Sequence, residues 1–223
     1  MSFVTVPDLK YLRLQSRALR RDVSSMLKHG RVAPRFAERI WINPSSVKRA
    51  ALSPSLRYGQ SAHVRDGDWD TETIEISAWD KLRCLENHWI DGTPWTASGI
   101  YELMLHEIER NGSIDGCSSL KELEHRYSAL DRIFAQVKHE QALRSTSELG
   151  DRTTFRGSGD MLVHIGRGPS LLMGRGGQHR FAIARILDIP LVPAQIGVVH
   201  TDSLSTWSSF VIRSHNRPTE ESE

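Results

Sequence analysis

Residues 161–200 alternate between largely apolar, strand-like segments and one helix-like segment, and this order limits the folds that the chain can adopt. The helix-like segment runs from Phe181 to about Leu187 and ends before Pro190, since proline has no N–H group to donate within a helix. The strand-like segments around it are residues 161–165, 171–173 and 192–200. Strands and a helix in this order pack as a sheet with a helix on one face. We therefore predict the α+β (α/β) class, with a small mixed sheet.

The segment Gly-Arg-Gly-Gly-Gln-His-Arg at residues 174–180 joins the second of these strands to the helix. Glycine adopts positive φ angles and lets a backbone approach a ligand closely, because it has no Cβ. The first turn of a helix presents unpaired N–H groups and the positive end of the helix dipole, which together favour an anion. Arg180 can bind a phosphate through two N–H groups, and His179 can donate to it or act as a general acid or base. The predicted phosphate-binding residues are Gly174, Gly176, Gly177, Gln178, His179 and Arg180.

This glycine-rich segment matches neither standard nucleotide-binding motif. The chain contains no GxxxxGK[ST] and no GxGxxG sequence, so neither a P-loop nor a Rossmann fold is supported. A simpler interpretation is a glycine-rich turn with solvated side chains and no ligand. Three glycines, the start of a helix and an adjacent histidine–arginine pair favour a binding site instead.

Residues 176–180 resemble a motif of the ParB/sulfiredoxin superfamily. The resemblance continues in the Phe-Ala-Ile-Ala that follows and in the Ile-Pro-Leu-Val-Pro before the last strand. The motif here is Gly-Gly-Gln-His-Arg; in sulfiredoxin it is Gly-Gly-Cys-His-Arg, which opens a helix and holds ATP phosphates. Residues 40–47, Ile-Trp-Ile-Asn-Pro-Ser-Ser-Val, resemble the opening strand of that fold. The resemblance covers roughly residues 38–48 and 160–200. It implies a ParB/sulfiredoxin-like fold that binds ATP or another nucleotide.

The resemblance also implies a class of reaction, and Gln178 at the position of the sulfiredoxin cysteine limits which reactions are possible. ParB-type free-serine kinases carry a related element, so the resemblance implies an ATP-dependent phosphotransferase (a kinase) or a nucleotide hydrolase. Gln178 stands where sulfiredoxin has its catalytic cysteine, and Cys84 and Cys117 lie outside the motif. Reduction of a sulfinic acid by a thiol at that position is therefore excluded. ParB partition proteins carry a motif resembling Gly-x-Arg-Arg, and no helix-turn-helix pattern follows residue 200, so we do not expect a chromosome-partition clamp.

Asp66, Asp68 and Asp70 form the densest acidic cluster and are candidate ligands for the Mg²⁺ that accompanies phosphoryl transfer. We predict that Asp68 and Asp70 bind the metal, and that Asp70 and His179 are catalytic. Trp69 can stack on a base or a sugar. The alternative is a solvated acidic loop, because alternating acidic residues are common on loops. Further single candidates are Asp151 and Asp160.

Residues 1–37 are predicted to contain a basic, amphipathic N-terminal helix. Residues 1–40 carry nine Lys and Arg against three Asp and Glu, a net charge of +6, whereas residues 41–150 carry twelve against seventeen, a net charge of −5. Apolar residues recur at helical spacing, so we expect this helix to pack on the domain that follows. These residues are Leu12, Leu19, Val23, Met26 and Leu27.

The arginines of this helix suggest a second hypothesis, a DNA-associated ParB-like regulator or nuclease. Basic side chains on one helix can neutralise DNA phosphates, and binding of that kind weakens steeply with salt. The arginines concerned are Arg13, Arg17, Arg20 and Arg21. The simpler alternative is a solvated basic face. A third hypothesis is an inert interaction module that keeps only the fold.

One main domain is predicted over residues 38–213, with a helical insertion at about 77–143 and a flexible tail at 214–223. Within the insertion, Ser119 and Glu122 have the spacing of a capping box. The apolar stripe of the helix that follows is Leu123, Tyr127, Leu130, Phe134 and Val137. Loops are expected at 51–70 and 144–159.

The composition is that of a soluble globular protein. Hydrophobic residues make up 39% of the 223 residues and charged residues 25%, with a mean hydropathy of −0.40. No apolar run approaches the roughly 18 residues that cross a bilayer. The two cysteines form no CxxC pair and favour a reducing cytoplasm over a disulfide scaffold. We therefore predict a cytoplasmic protein with no membrane span. The glycine-rich segment and the resemblance together predict that it binds a nucleotide, with ATP and Mg²⁺ as the expected ligands.

Overall fold

The computed structural model describes residues 9–150, 155–168, 170–214 and 216–218, and it describes side chains from residue 14 onward. The candidate Asp151, the side chain of Arg13 and most of the predicted tail lie outside these described residues. Along the described residues, no helix combines the length and the apolar character that crossing a membrane would require.

The described residues form five α-helices and a mixed seven-stranded sheet, which confirms the predicted α+β class. The helices are α1 (Leu9–His29), α2 (Asp80–Trp89), α3 (Ile100–Asn111), α4 (Leu120–Glu140) and α5 (Gln178–Ile186). The strands are β1 (Arg39–Ile42), β2 (Arg49–Ala51), β3 (Val64–Arg65), β4 (Thr73–Glu75), β5 (Met161–Ile165), β6 (Leu171–Met173) and β7 (Val192–His200).

The sheet is built around β7, whose nine residues are all buried. The strand order is β1-β7-β5-β6-β2-β4, and β3 also pairs with β7. β5 and β6 form an antiparallel hairpin with Val163 opposite Met173, and β5 runs parallel to β7. Helix α5 lies between β6 and β7 in the chain, and it begins a few residues after the end of β6.

Helices α2, α3 and α4 come between β4 and β5 in the chain, within the predicted helical insertion. Both α2 and α4 contact α5. The predicted stripe of α4 is buried at Leu123, Tyr127, Leu130 and Val137, and Phe134 is half-buried. At the N-terminus of α4 the Ser119 hydroxyl accepts the N–H of Glu122, as the capping box predicts, but the Glu122 carboxylate accepts from Ser118 instead.

Helix α1 packs on the domain through a different face from the one predicted. Ala18 is fully buried, and the Asp22 carboxylate accepts the N–H of Phe36 at 2.7 Å and pairs with Arg156 at 2.7 Å. The Arg21 guanidinium donates to the carbonyl of Gly59 and lies over the Phe36 ring at 4.6 Å. The described members of the apolar stripe, Leu19, Val23, Met26 and Leu27, are exposed. The expectation that this stripe packs on the domain was wrong, because specific polar bonds and the small Ala18 hold the opposite side.

Two regions predicted to be loops contain ordered contacts. Residues 51–70 include the end of β2 and all of β3, and β4 lies just beyond them. Within 144–159, Thr146 donates its N–H to the Asp160 carboxylate at 2.9 Å, and Gly157 donates its N–H to the carbonyl of Ala37 at 2.7 Å. Such short elements depend on their partners in the fold, so local sequence patterns do not reveal them.

Candidate functional site

The glycine-rich junction is where the sequence predicts it, between β6 and α5. Gly177 is the N-cap of α5, with φ +76°, and a Cβ there would lie 2.7 Å from the Cα of Met161. A Cβ on Gly176 would lie 2.2 Å from the ring of Tyr58. These glycines are needed because the loop lies directly against β5 and Tyr58. In this structure the close approach is to the protein itself.

Arg180 faces a buried carboxylate. Its guanidinium lies 3.4 Å from Asp160 and also donates to the backbone carbonyl of Arg144. Asp160 is fully buried and accepts from Arg39 at 2.7 Å. Arg180 therefore ties the first turn of α5 to the segment that precedes β5.

His179 points into a buried polar cluster, on the side of α5 that faces α4. Its Nε2 lies 3.3 Å from the hydroxyl of Tyr127 and 3.6 Å from the carboxylate of Asp115. Burial, assisted by the nearby charge of Lys81, lowers the pKa of His179 to about 3. The imidazole is therefore neutral near pH 7, and it adds no positive charge to the junction.

Lys81 and Asp115 complete this cluster, and sequence analysis had singled out neither. The Lys81 ammonium donates to the Asp115 carboxylate at 2.5 Å and lies 3.4 Å from the side-chain oxygen of Gln178. Burial lowers the pKa of Lys81, and Asp115 opposes that shift. Although burial of Asp115 acts in the other direction, the charge of Lys81 holds the pKa of this carboxyl below its usual range. One signal was present in the sequence: Lys81 is spaced four residues from Leu85, on the apolar face of α2.

A cavity of about 350 Å³ opens beside the junction, and we call it the junction cavity. Its lining includes Gly174, Arg175 and Gln178 from the glycine-rich segment and Lys81 from α2. Carboxylates in the lining are Asp80 and Glu107, and the apolar part includes Trp79, Leu103, Met104 and Ile114. Within the described structure, the side chains of His179 and Arg180 do not line it. Of the three polar side chains at 178–180, that of Gln178 lines the cavity, and those of His179 and Arg180 do not.

The acidic cluster lies elsewhere. Asp68 and Asp70 bind the guanidinium of Arg167 at 2.8 Å and 2.9 Å, and Asp70 also accepts the Arg167 N–H at 2.7 Å. Despite partial burial, the hydrogen bonds from Arg167 hold the pKa of Asp70 below its usual range. Arg167 is in the turn of the β5–β6 hairpin, whereas the junction is at the opposite end, about 13 Å away along β5. The structure therefore does not bring Asp68 and Asp70 to His179 and Arg180.

Few further metal-binding side chains lie near the acidic cluster. Among the described residues, no group of three or more His, Cys, Asp or Glu side chains is arranged to hold a metal ion. Trp69 is buried, and its ring lies 6.2 Å from that of His164 and 6.0 Å from that of His200. The Trp69 ring is thus packed within the domain, and Asp68 and Asp70 share one cation, Arg167.

The arginines of α1 are placed differently from one another. Arg17 and Arg20 are exposed, whereas Arg21 donates to the carbonyls of Gly59 and Ser61. Contact of these arginines with DNA stays a prediction. Both cysteines, Cys84 and Cys117, are buried and free.

Comparison with known proteins adds no assignment. No protein-family model, no curated protein and no solved structure matches the chain.

Two buried histidines make stability depend on pH. Burial lowers the pKa of His164 to about 3, as it does, together with Lys81, for His179. Both values lie below the pKa of about 6.5 of an unfolded histidine, so the unfolded chain binds the extra protons. The two histidines therefore contribute their full share to the free energy of unfolding above about pH 6.5. As the pH drops toward 3, the free energy of unfolding falls by about 1.4 kcal/mol per pH unit for each histidine.

Urea unfolding at pH 6.0, 5.5 and 5.0 measures this slope. The variant His179→Gln keeps a polar side chain beside Tyr127, and we expect it to lose about half of the slope. His125→Gln, at an exposed position on α4, is the matched control and leaves the slope unchanged. A flat stability profile for the unsubstituted protein over this range contradicts the prediction.

Proposed function

We propose that the protein binds a nucleotide, with ATP as the first candidate, or a related phosphate ester in the junction cavity. The observation that carries this proposal is that one cavity is lined by the glycine-rich segment and by two cationic side chains, Lys81 and Arg175. Its volume of about 350 Å³ falls within the range of small-molecule sites.

The cations of the cavity and the start of α5 favour an anionic ligand, since the two carboxylates of the lining, Asp80 and Glu107, are already paired with Arg83 and Arg110. Arg175 is exposed and has no ion-pair partner in the described part of the chain, so its guanidinium is available to a phosphate. Gln178 is both part of the lining and the first residue of α5, whose N-terminal end carries partial positive charge. Lys81 adds a buried ammonium that already contacts Asp115.

The motif residues have two different roles in this proposal. Gly174, Arg175 and Gln178 face the ligand, whereas His179 and Arg180 hold α5 in place through Tyr127 and Asp160. Mg²⁺ would arrive bound to the phosphates of the nucleotide. Asp68 and Asp70 have no part in it, because Arg167 binds both of them. The resemblance implies phosphoryl transfer, and such a transfer requires that a substrate bind beside the phosphates of the nucleotide.

Calorimetric titration with ATP and Mg²⁺ tests the proposal. We expect saturable binding, and we expect Arg175→Ala to weaken it by about 10- to 150-fold, since a charge-assisted hydrogen bond contributes about 1.5–3 kcal/mol. Arg175 is exposed, so its replacement leaves the fold intact. The matched control is Arg132→Ala, at an exposed position on α4 outside the cavity lining, and we expect it to bind like the unsubstituted protein.

Two results would overturn the proposal. One is the absence of binding by the unsubstituted protein to ATP, ADP and inorganic pyrophosphate alike. The other is binding of equal affinity in the unsubstituted protein and in Arg175→Ala, which would place the ligand at another site.

A further inference from the structure

We infer that the outward face of α1 docks into a groove of a second copy of this chain. The face consists of Leu19, Val23, Met26 and Leu27, which are 64%, 42%, 53% and 79% exposed, and we call it the outer stripe. Their spacing places them on one side of the helix. Four exposed apolar side chains side by side form a contiguous patch of the kind that marks an interaction surface.

Positive charge lies along one side of the outer stripe. Arg17, Arg20 and Lys28 are exposed on the same helix. Asp22 is the acidic residue within the α1 range, and it is already bound to Arg156 on the docked side. The free face of α1 is therefore apolar, with cations along one side.

A groove of about 890 Å³ between α2, α3 and α4 has the complementary character, and we call it the acidic groove. Its apolar lining includes Leu103, Leu105 and Leu120. Its carboxylates are Asp80, Glu102, Glu109 and Glu124. Arg83 is paired with Asp80 at 2.6 Å, whereas the three glutamates have no ion-pair partner in the described part of the chain. The groove therefore offers apolar contacts and negative charge together.

The outer stripe of one molecule and the acidic groove of another are suited to bind each other. Because Ala18, Arg21 and Asp22 hold α1 against its own domain, the outer stripe faces away from that domain. The acidic groove is formed by other elements, α2, α3 and α4. The charge of the sequence follows the same division, +6 over residues 1–40 and −5 over residues 41–150.

This contact joins two different surfaces, so it is heterologous. Such contacts close into a ring when the rotation between copies permits and otherwise continue as an open assembly. An anionic membrane or DNA would satisfy the cations of α1, but neither would account for the acidic groove with its half-buried and exposed leucines on the same chain.

Sedimentation of the full chain over a range of concentrations, in 50 mM and 500 mM NaCl, measures the association directly. We expect concentration-dependent self-association that weakens in high salt, since the charges border an exposed contact. The double variant Arg17→Glu/Arg20→Glu makes both surfaces negative, and Glu102→Lys/Glu109→Lys makes both positive. We expect each to weaken association at least tenfold.

Mixing the two double variants provides the decisive arm. In the mixture, the stripe of each variant meets a groove of opposite charge, so we expect association to return. Arg132→Glu/Lys138→Glu, which reverses two exposed charges on α4 outside the groove lining, is the matched control and should associate like the unsubstituted protein. Circular dichroism verifies that every variant is folded.

Three results overturn the proposal. The first is a folded unsubstituted protein that stays monomeric at every concentration. The second is a mixture of folded charge-reversed variants that does not associate. The third is a monomeric chain that binds phosphatidylserine vesicles or duplex DNA through Arg17 and Arg20, which would assign the outer stripe to a lipid or a nucleic acid.

Discussion

Replacing Asp160 with alanine is expected to lower the free energy of unfolding by about 3–5 kcal/mol, the loss typical when one member of a buried ion pair is removed. Asp160 is fully buried, and its partner Arg39 has a side chain only 2% exposed, with 2.7 Å between them. Without the carboxylate, the buried Arg39 guanidinium would lose the counter-charge that lies 2.7 Å from it. The loss of this close, buried counter-charge is the main cost.

The loss extends beyond the ion pair. The Asp160 carboxylate accepts the N–H and the hydroxyl of Thr146, and it lies within 3.4 Å of Arg180. One carboxylate thus joins β1, the segment before β5 and the first turn of α5. We expect the variant to loosen the junction as well as to destabilise the domain.

Urea unfolding followed by tryptophan fluorescence measures this effect. The matched control is Asp68→Ala, because the Asp68 side chain is 81% exposed while it pairs with Arg167. An exposed pair of this kind contributes up to about 1 kcal/mol. A loss below 1 kcal/mol for Asp160→Ala would show that the buried pair does not stabilise the fold.

Gly177→Ala is expected to be the second most damaging single change, at about 3 kcal/mol. Alanine at a positive φ costs about 1–2 kcal/mol, and overlap in a packed interior adds about 1–3 kcal/mol. Both costs apply at Gly177, where φ is +76° and a Cβ would lie 2.7 Å from the Cα of Met161. That neighbour is backbone in β5, so it cannot move aside as a flexible side chain would.

Gly67→Ala separates the two costs. Gly67 has φ +83°, but no atom lies within 4 Å of a Cβ built there, so only the conformational cost of about 1 kcal/mol applies. The two variants should therefore differ by about 2 kcal/mol in urea unfolding. Equal losses at Gly177 and Gly67 would mean that β5 yields to the added methyl group.

The elements around the junction could be predicted because their signals are local. Residues 161–165 and 171–173 are short apolar runs bounded by glycine, and the structure places β5 and β6 on the same residues. The start of α5 follows from three glycines in four positions before a helix-forming run. β3 and β4 were not found, since strands of two and three residues depend on the neighbours with which they pair.

The candidate site could be predicted only in part. The glycine-rich segment was found, but the lysine that faces it is 97 residues away from Gln178. The prediction that Asp68 and Asp70 bind a metal did not include their partner Arg167, which is nearly 100 residues further along the chain. A cation that far away leaves no trace in the local pattern, although it decides whether a carboxylate is free to bind a metal.

The sequence by itself determined the class of fold and the position of the glycine-rich junction, because hydrophobic period, glycine conformation and proline act over a few residues. Only the tertiary structure decided which side chains face the junction cavity, which carboxylates are paired with a cation and which face of α1 is left exposed. Those outcomes depend on contacts between distant segments. Burial and charge pairing are properties of the packed chain.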